Sequence, residues 1–424
     1  MIHFVKKAGL LSILFLFVHC YASEPRILLI EPWPWIKAGG LGINNVNQAR
    51  LFNEHGYYFI TLFWQGLYSE ALFNHEQLPY EVFSHDLHMQ LSYPYEEFLT
   101  RLQSGWVALP DEVFQHEITK VCAKHSINIV ITPRWEDVIL LKKIANKIGI
   151  KIIFVRHASI EQDFIKSKYS VSAIREIDGF VGGNTEIAQH VQQENSTKKL
   201  NIKNCVAITP FWDQDKCLQF KTNETSNEYF AREYGINVGY NEYVIATVAN
   251  LDDPCKNHAL LLKAVAQILS KKYTVHLMIA GSGSLKSQLE IQAYELNIQK
   301  YVHFLGSVQN IPELLYHSHM HVLPSYHESF SLANLEAACM KKPIIMARGL
   351  SASRLVHDRE TGLLFNNHDA QDLAKKIIFL IDHEDEGCMM GENLYWYVKE
   401  TYCNEIIFKQ WERLIDRVFK QAYD

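Results

Sequence analysis

The sequence has no Cys-x-x-Cys pair, no basic excess and no apolar run of the ~20 residues needed to cross a bilayer comfortably. Each absence closes off a class of function. Lysine and arginine total 41 against 47 acidic residues, a net charge of −6, so the electrostatic footprint of a nucleic-acid binder is missing. The 8 cysteines are irregularly spaced, and cleavage after Ala22 would leave seven: Cys122, Cys205, Cys217, Cys255, Cys339, Cys388 and Cys403. An odd set without a pairing pattern reads as core thiols rather than a disulfide framework or a zinc site. No cluster of His, Asp and Cys has convincing ligand spacing, so no metal is assigned.

What is present points to a large, well-filled molecule. At 424 residues the chain exceeds one ordinary domain, and two or three are expected. Apolar residues make up 48% and aromatics 12%, enough for full cores. At the N-terminus, Lys6-Lys7 precede the apolar run Ala8 to Val18 and then His19-Cys20-Tyr21-Ala22-Ser23. A basic start, a short apolar core and small residues near Ala22 match a secretory signal over residues 1–22. Export to the periplasm, the exterior or the secretory pathway is therefore expected. The run is too short to span fully, so membrane anchoring is the lesser alternative. A lipoprotein-type site at Cys20 is disfavoured by His19, which is not small.

Apolar runs then alternate with helical periodicity. Strands are predicted at Arg26–Glu31, Tyr58–Trp64, Ile127–Thr132, Lys151–Val155 and Val206–Thr209, with a short one opening the stretch from Gly179 to Glu186. Helices are predicted between them at about Ile43–His55, Pro110–His125, Glu136–Ile148 and up to Gln193. Residues 66 to 110 are aromatic and irregular, and read as a variable, loop-rich part of the first domain. A second alternation starts at Tyr243. Its strands are Tyr243–Ala249, Thr274–Ala280, Val302–Leu305, Met320–Leu323, Ile344–Met346 and a last one ending at Phe365. Its helices are Asn257–Leu269, a segment capped by Gly281-Ser282-Gly283-Ser284 and running to Leu296, Ile311–His317 and Leu332–Met340. The last helix, about Asn404 to Gln421, places Ile406, Ile407, Trp411, Leu414, Ile415 and Val418 on one face. Two such halves joined near residue 210 describe an α/β chain with two Rossmann-like doubly wound domains facing across a cleft. The division is 23–210, 211–403 and a terminal helix 404–424.

The most informative stretch is Pro324-Ser325-Tyr326-His327-Glu328-Ser329-Phe330-Ser331-Leu332-Ala333-Asn334-Leu335-Glu336-Ala337. Glu328 falls on the loop after a predicted strand, and Glu336 falls inside the helix that follows. The amides of Phe330, Ser331 and Leu332 open that helix, where unsatisfied N–H groups and the dipole favour an anion. One segment thus offers two polyol acceptors and a phosphate cradle, the equipment for holding a nucleotide sugar. A bare pair of glutamates at this spacing would equally suit a cap and a solvated face. Elsewhere, Ala38-Gly39-Gly40-Leu41-Gly42 follows the first strand, where open α/β sheets bind ligands. It is either a ligand loop or a plain turn, and it is not the Gly-x-Gly-x-x-Gly dinucleotide fingerprint. His157 and Lys256 also follow strand ends, where a ligand contact and a surface position are both open.

The whole phrase around Glu328 and Glu336 resembles the Glu-x7-Glu signature of retaining glycosyltransferases with the GT-B fold, specifically the GT4 (glycosyl transferases group 1) family. The resemblance is strong from about 243 to 369, moderate from 26 to 50 and thin between 60 and 125. It implies that Glu328 lies near the donor sugar, that Glu336 binds the ribose hydroxyls, and that the Phe330–Leu332 amides contact sugar and phosphate. It further implies that Gly39, Gly40 and Gly281 face the donor, that His157 contacts its sugar, and that Lys256 neutralises the leaving diphosphate. The family's arginine before that lysine is replaced by Asn250, with Arg348 and Arg354 as other sources of charge. Arg354 stands where the family often has Glu, and Asp358-Arg359 replaces its Asp-Gly turn. Phe211-Trp212-Asp213 replaces its linker turn, and the terminal helix is implied to return to the first domain.

The expected activity is retaining transfer of a hexose-type sugar from a nucleoside-diphosphate donor to a carbohydrate, lipid or protein acceptor, with no cofactor. The rivals are a GT-B phosphorylase or epimerase, and a degenerate exported module that binds glycans or nucleotide sugars without turnover.

Overall fold

The computed structural model describes residues 24–30, 40–64, 73, 77–83, 111–156, 173–271, 273–328 and 330–420. The signal segment 1–22, Gly39, His157 and most of the irregular stretch 66–110 lie outside the described residues. Within them the chain forms two sheets, each entirely parallel. The first has the order β3-β2-β1-β4-β5-β6-β7. Its strands are β1 (Arg26–Ile30), β2 (Tyr58–Trp64), β3 (Tyr80–Phe83), β4 (Ile129–Thr132), β5 (Lys151–Arg156), β6 (Gly179–Gly182) and β7 (Cys205–Ala207). The second has the order β10-β9-β8-β11-β12-β13. It comprises β8 (Tyr243–Val248), β9 (Val275–Ala280), β10 (Val302–Gly306), β11 (Met320–Leu323), β12 (Ile344–Ala347) and β13 (Gly362–Phe365). This is the GT-B arrangement.

The strands are short apolar runs because both sheet faces are covered by helices, leaving no polar side to alternate with. Ile27, Leu28, Leu29 and Ile30 of β1 are all buried, as is every residue of β9, β11 and β12. On the first sheet pack α1 (Gly40–Glu54), α2 (Asp111–His125), α3 (Trp135–Ile148) and α4 (Thr185–Lys198). The chain crosses over through α5 (Gln214–Gln219) and α6 (Ser226–Tyr234). The second sheet carries α7 (His258–Ser270), α8 (Lys286–Glu295), α9 (Ile311–His317), α10 (Leu332–Cys339), α11 (Ala370–Asp382) and α12 (Glu384–Thr401), before the last helix α13 (Asn404–Lys420).

Three local readings change. Strand β3 lies inside the stretch read as irregular; it is a four-residue edge strand, too short for its alternation to register. Gly40 and Gly42 lie in the first turn of α1 rather than in a loop before it. Ser284 does not cap α8, whose N-cap is Leu285; instead the Ser284 amide donates to Asp252 Oδ1 (2.6 Å).

The last helix packs against α1 of the first domain. Its buried face carries Ile407, Phe408, Trp411, Leu414, Ile415 and Val418, with Phe408 in the place the periodicity gave to Ile406. The Phe408 ring stacks on His55 at 3.9 Å and meets Phe52 edge-on at 5.1 Å. The two passages between domains, near 212 and near 403, lie side by side. Asn404 Nδ2 donates to Trp212 O (2.8 Å) while Trp212 N donates to Asn404 Oδ1 (3.3 Å). Trp212 Nε1 also donates to Tyr402 O (2.8 Å), and Asn404 N donates to Gln214 Oε1 (2.6 Å).

This reciprocal pair is buried, so deleting one side strands the other. Asn404→Ala leaves the Trp212 N–H without its partner, at a cost of about 1–3 kcal/mol, while the Trp212 carbonyl keeps the Gln214 amide (2.8 Å). Urea unfolding is expected to show a loss of that order, and an unchanged midpoint would deny the pair its role.

Candidate functional site

The strand order reverses between β8 and β11, so the connections leaving their carboxyl ends diverge to opposite faces. Open α/β sheets bind ligands at such a crevice. Here both strand ends carry residues singled out from the sequence.

After β8 the chain runs Val248-Ala249-Asn250-Leu251 and then makes a 3₁₀ turn at Pro254–Lys256. The sequence dictates that turn. Asp253 accepts the Cys255 amide (2.8 Å), Pro254 supplies a preset φ, and Asn257 closes it in the left-handed region at φ 55°. Lys256 is thereby aimed at the loop after β11, where its Nζ donates to Glu328 Oε2 at 2.6 Å. The pair is largely enclosed, with side-chain exposures of 20% for Lys256 and 8% for Glu328. A backbone bond from Tyr326 N to Cys255 O (3.0 Å) ties the two loops together. Asn367 Nδ2 adds a bond to Tyr326 O (3.3 Å), and the His368 ring lies 5.3 Å from that of Tyr326. Tyr326, Asn367 and His368 went unnoticed in the sequence because nothing in their local spacing signals the contact.

Beyond Glu328 the loop enters α10. Phe330 is partly buried, its ring 5.6 Å from that of Tyr402, and Ser331 is the N-cap. The Ser331 side chain makes no capping hydrogen bond, so the first-turn amides beginning at Leu332 are not satisfied by it. A helix start in that condition suits an anion. Just over one turn on, Glu336 is buried at 6% exposure. Burial, and then the negative charge of Asp213, push its carboxyl up to about 8, with Lys216 opposing. Asp213 and Lys216 belong to the interdomain crossing, a long-range contact the sequence could not announce.

Gly281 follows β9 at φ +154°, and a Cβ there would stand 1.9 Å from Ala249 O. A side chain at Gly283 would collide with the Leu251 and Asp252 backbone. These glycines let the loop after β9 press against the loop carrying Asn250. Asn250 itself is exposed, and its carbonyl lies 3.3 Å from Nε2 of the buried His258. Burial holds that imidazole down at about 4, so it is neutral. Neither alternative arginine faces Lys256 as a free charge. Arg348 Nη2 donates to Asp358 Oδ2 (2.6 Å), and Arg354 Nη2 sits 3.1 Å from Glu186 Oε1 on α4 of the other domain. Arg359, in place of the expected glycine, holds φ +70° with its guanidinium 5.2 Å over the Phe379 ring. Gly40 begins α1, while Gly39, His157 and Ser329 lie outside the described residues.

Lys256, Glu328, Phe330, Ser331, Leu332 and Glu336 are therefore brought onto one crevice, with Asn250 and Gly281 on its adjoining loops. The set can do three things: place a cation and helix amides against a diphosphate, hold a polyol by carboxylates, and exclude water from an enclosed ion pair.

Residues 235–395 match the model of Glycosyl transferases group 1. A poly(ribitol-phosphate) alpha-N-acetylglucosaminyltransferase of Staphylococcus aureus is 25% identical over 164 residues, 38% of this chain and 33% of its own length. A D-inositol 3-phosphate glycosyltransferase of Corynebacterium aurimucosum is 28% identical over 197 residues, 45% of this chain and 46% of its own. The chain thus matches less than half the length of these two relatives. Among solved structures, Anabaena HepE in complex with UDP and glucose superposes with a TM-score of 0.73 at 17% identity, covering 93% of this chain and 100% of that one. A glycosyltransferase from Rickettsia africae gives 0.72 at 17% identity, covering 94% and 99%. At that identity the likeness speaks for the fold.

Two measurements test the site. An acid whose folded pKa is raised takes up a proton on folding. The resulting destabilisation is absent below the ordinary 4.5 and complete once pH passes about 8. Glu336→Gln, which mimics the protonated acid, should therefore change stability little at pH 4.5 and raise it increasingly up to pH 8, at most ~1.4 kcal/mol per unit. A gap between the two proteins that does not grow with pH would refute the burial argument. Gly281→Ala should lose more than ~2 kcal/mol in urea unfolding, because backbone strain and a backbone clash add. Gly235→Ala, at φ +66° with open space around it, is the milder control.

Proposed function

We propose that this chain, whose residues 235–395 belong to the glycosyl transferases group 1 family, transfers a hexose-type sugar from a nucleoside-diphosphate donor to an acceptor hydroxyl with retention of configuration. The observation that carries the reading is the enclosed Lys256–Glu328 pair beside the start of α10, at the strand-order reversal of the second sheet. Bound UDP and glucose in the HepE structure support a nucleotide-sugar donor for a fold of this kind.

In this reading the α10 amides and Lys256 receive the diphosphate. Negative charge develops on the leaving phosphate in the transition state, where a fixed cation in a water-poor crevice has its largest effect. Glu328 positions Lys256 in the empty site and turns to the sugar hydroxyls when the diphosphate takes the lysine. Glu336 accepts from the ribose hydroxyls, and the acceptor hydroxyl attacks on the face the diphosphate leaves. His157 contacts the donor sugar, and the glycines Gly39, Gly40 and Gly281 allow close approach of backbone. Asn250 donates a hydrogen bond but brings no charge, so Lys256 bears the electrostatic load. The acceptor is a carbohydrate, lipid or protein hydroxyl, no cofactor is required, and the protein is exported after loss of residues 1–22.

The test is nucleotide release from UDP-, GDP- and ADP-sugars by protein lacking residues 1–22. One donor should turn over, and Lys256→Ala and Glu328→Gln should each lower kcat by about 100-fold. Asn250→Arg should raise kcat. Well-folded protein that neither releases nucleotide nor shifts its melting temperature with any donor would overturn the proposal.

A further inference from the structure

We infer that Glu224, Glu313 and His317 form a binding site for a divalent transition-metal ion, in the second domain and apart from the Lys256–Glu328 crevice. One ligand atom from each residue lies within 4.8 Å of the others. Glu313 and His317 stand four residues apart on α9, which places both on one face of the helix. Glu224 comes from the segment before α6. That segment is fixed by a capping box in which Thr225 and Glu228 hold each other's backbone amides.

His317 points to the ligand. It is 1% exposed, and neither ring nitrogen has a hydrogen-bond partner. A buried polar group left in that state is costly and calls for an explanation. Its ring stacks on Tyr229 at 4.4 Å and 14°, which fixes its plane.

Charge makes the second case. Glu224, Glu233 and Glu313 converge on a single guanidinium, that of Arg232. Its Nε and Nη2 reach Glu224 at 2.9 and 3.0 Å, its Nη1 reaches Glu233 at 2.9 Å, and Nη2 reaches Glu313 at 3.5 Å. In these pairs three carboxylates share one guanidinium. Arg232 is the resident counter-ion, and with 52% of its side chain exposed it can release Glu224 and Glu313 while keeping Glu233. Asn310 Nδ2 donates to Glu313 Oε2 (2.9 Å), the kind of outer contact that orients a ligating carboxylate. One imidazole nitrogen and two carboxylates suit zinc, cobalt, nickel or manganese better than calcium or magnesium, with water completing the shell. The ion would fasten the segment entering the second domain to α9, and the inference does not depend on the transferase reading.

The test is titration of the full chain with Co²⁺, followed by d–d absorption, and with Zn²⁺, followed by calorimetry. A single equivalent is expected. Glu224→Gln and Glu313→Gln preserve shape and should weaken it more than about tenfold, the loss that outer-shell partners alone can cause. Arg232→Gln removes the competing cation and should tighten it. If neither the natural chain nor Arg232→Gln takes up metal, the site does not exist. If both glutamine variants bind as tightly as the natural chain, the ion sits elsewhere and the inference fails equally.

Discussion

Everything in the candidate site depends on β8 and β11 lying side by side. Their pairing through Met320 with Ile245 and His321 with Ala246 is short, yet it joins two strands far apart in sequence at the point where strand order reverses. In the second sheet it is there that the crossovers leaving β8 and β11 run in opposite directions, and there that Lys256 and Glu328, which follow different strands, meet. The ion pair is thus a consequence of topology before it is a matter of side-chain choice. Its enclosure then decides its strength, since an enclosed pair of opposite charges is screened far less than a surface pair.

Electrostatics in the crevice is divided between two glutamates with opposite fates. Glu328 has a cation at hydrogen-bond distance, so its charge is matched. Glu336 has burial and Asp213 against it and only Lys216 in its favour, so it holds a proton around neutrality. A ligand that offers hydroxyl donors to Glu336 would supply what the protein withholds. The same logic separates the arginines. Arg348 and Arg354 are already paired to Asp358 and Glu186, the latter across the domain boundary, and this leaves Lys256 as the cation that Glu328 faces.

Much of this was legible along the chain, and the limits have a physical pattern. Buried parallel strands announce themselves as apolar runs, and the Glu328–Glu336 phrase sits within one strand–loop–helix unit whose parts are local. The turn that aims Lys256 went unread although it is equally local, since Asp253, Pro254 and Asn257 each act on their own neighbours. Most of what remained hidden is non-local. Asp213 against Glu336, Glu186 against Arg354 and Glu224 against His317 join residues whose separation in sequence carries no signal. Strand β3 was missed for the opposite reason: four residues on an edge are too few for any period. The glycines at 40 and 42 read as a loop, but flanking helical periodicity outweighed their low helix preference.

The reciprocal bonds between Trp212 and Asn404 have a bearing on how this molecule is assembled in a modular sense. The chain enters and leaves its second half at one point, with the Asn404 amide bonded to the Gln214 side chain at 2.6 Å. That half is consequently a cassette: an insert whose two ends meet, carried by a first half that resumes with α13 as though uninterrupted. An insert of this form can be exchanged between proteins with a single seam to repair. It is also the part that the family model recognises, since residues 235–395 lie wholly inside it.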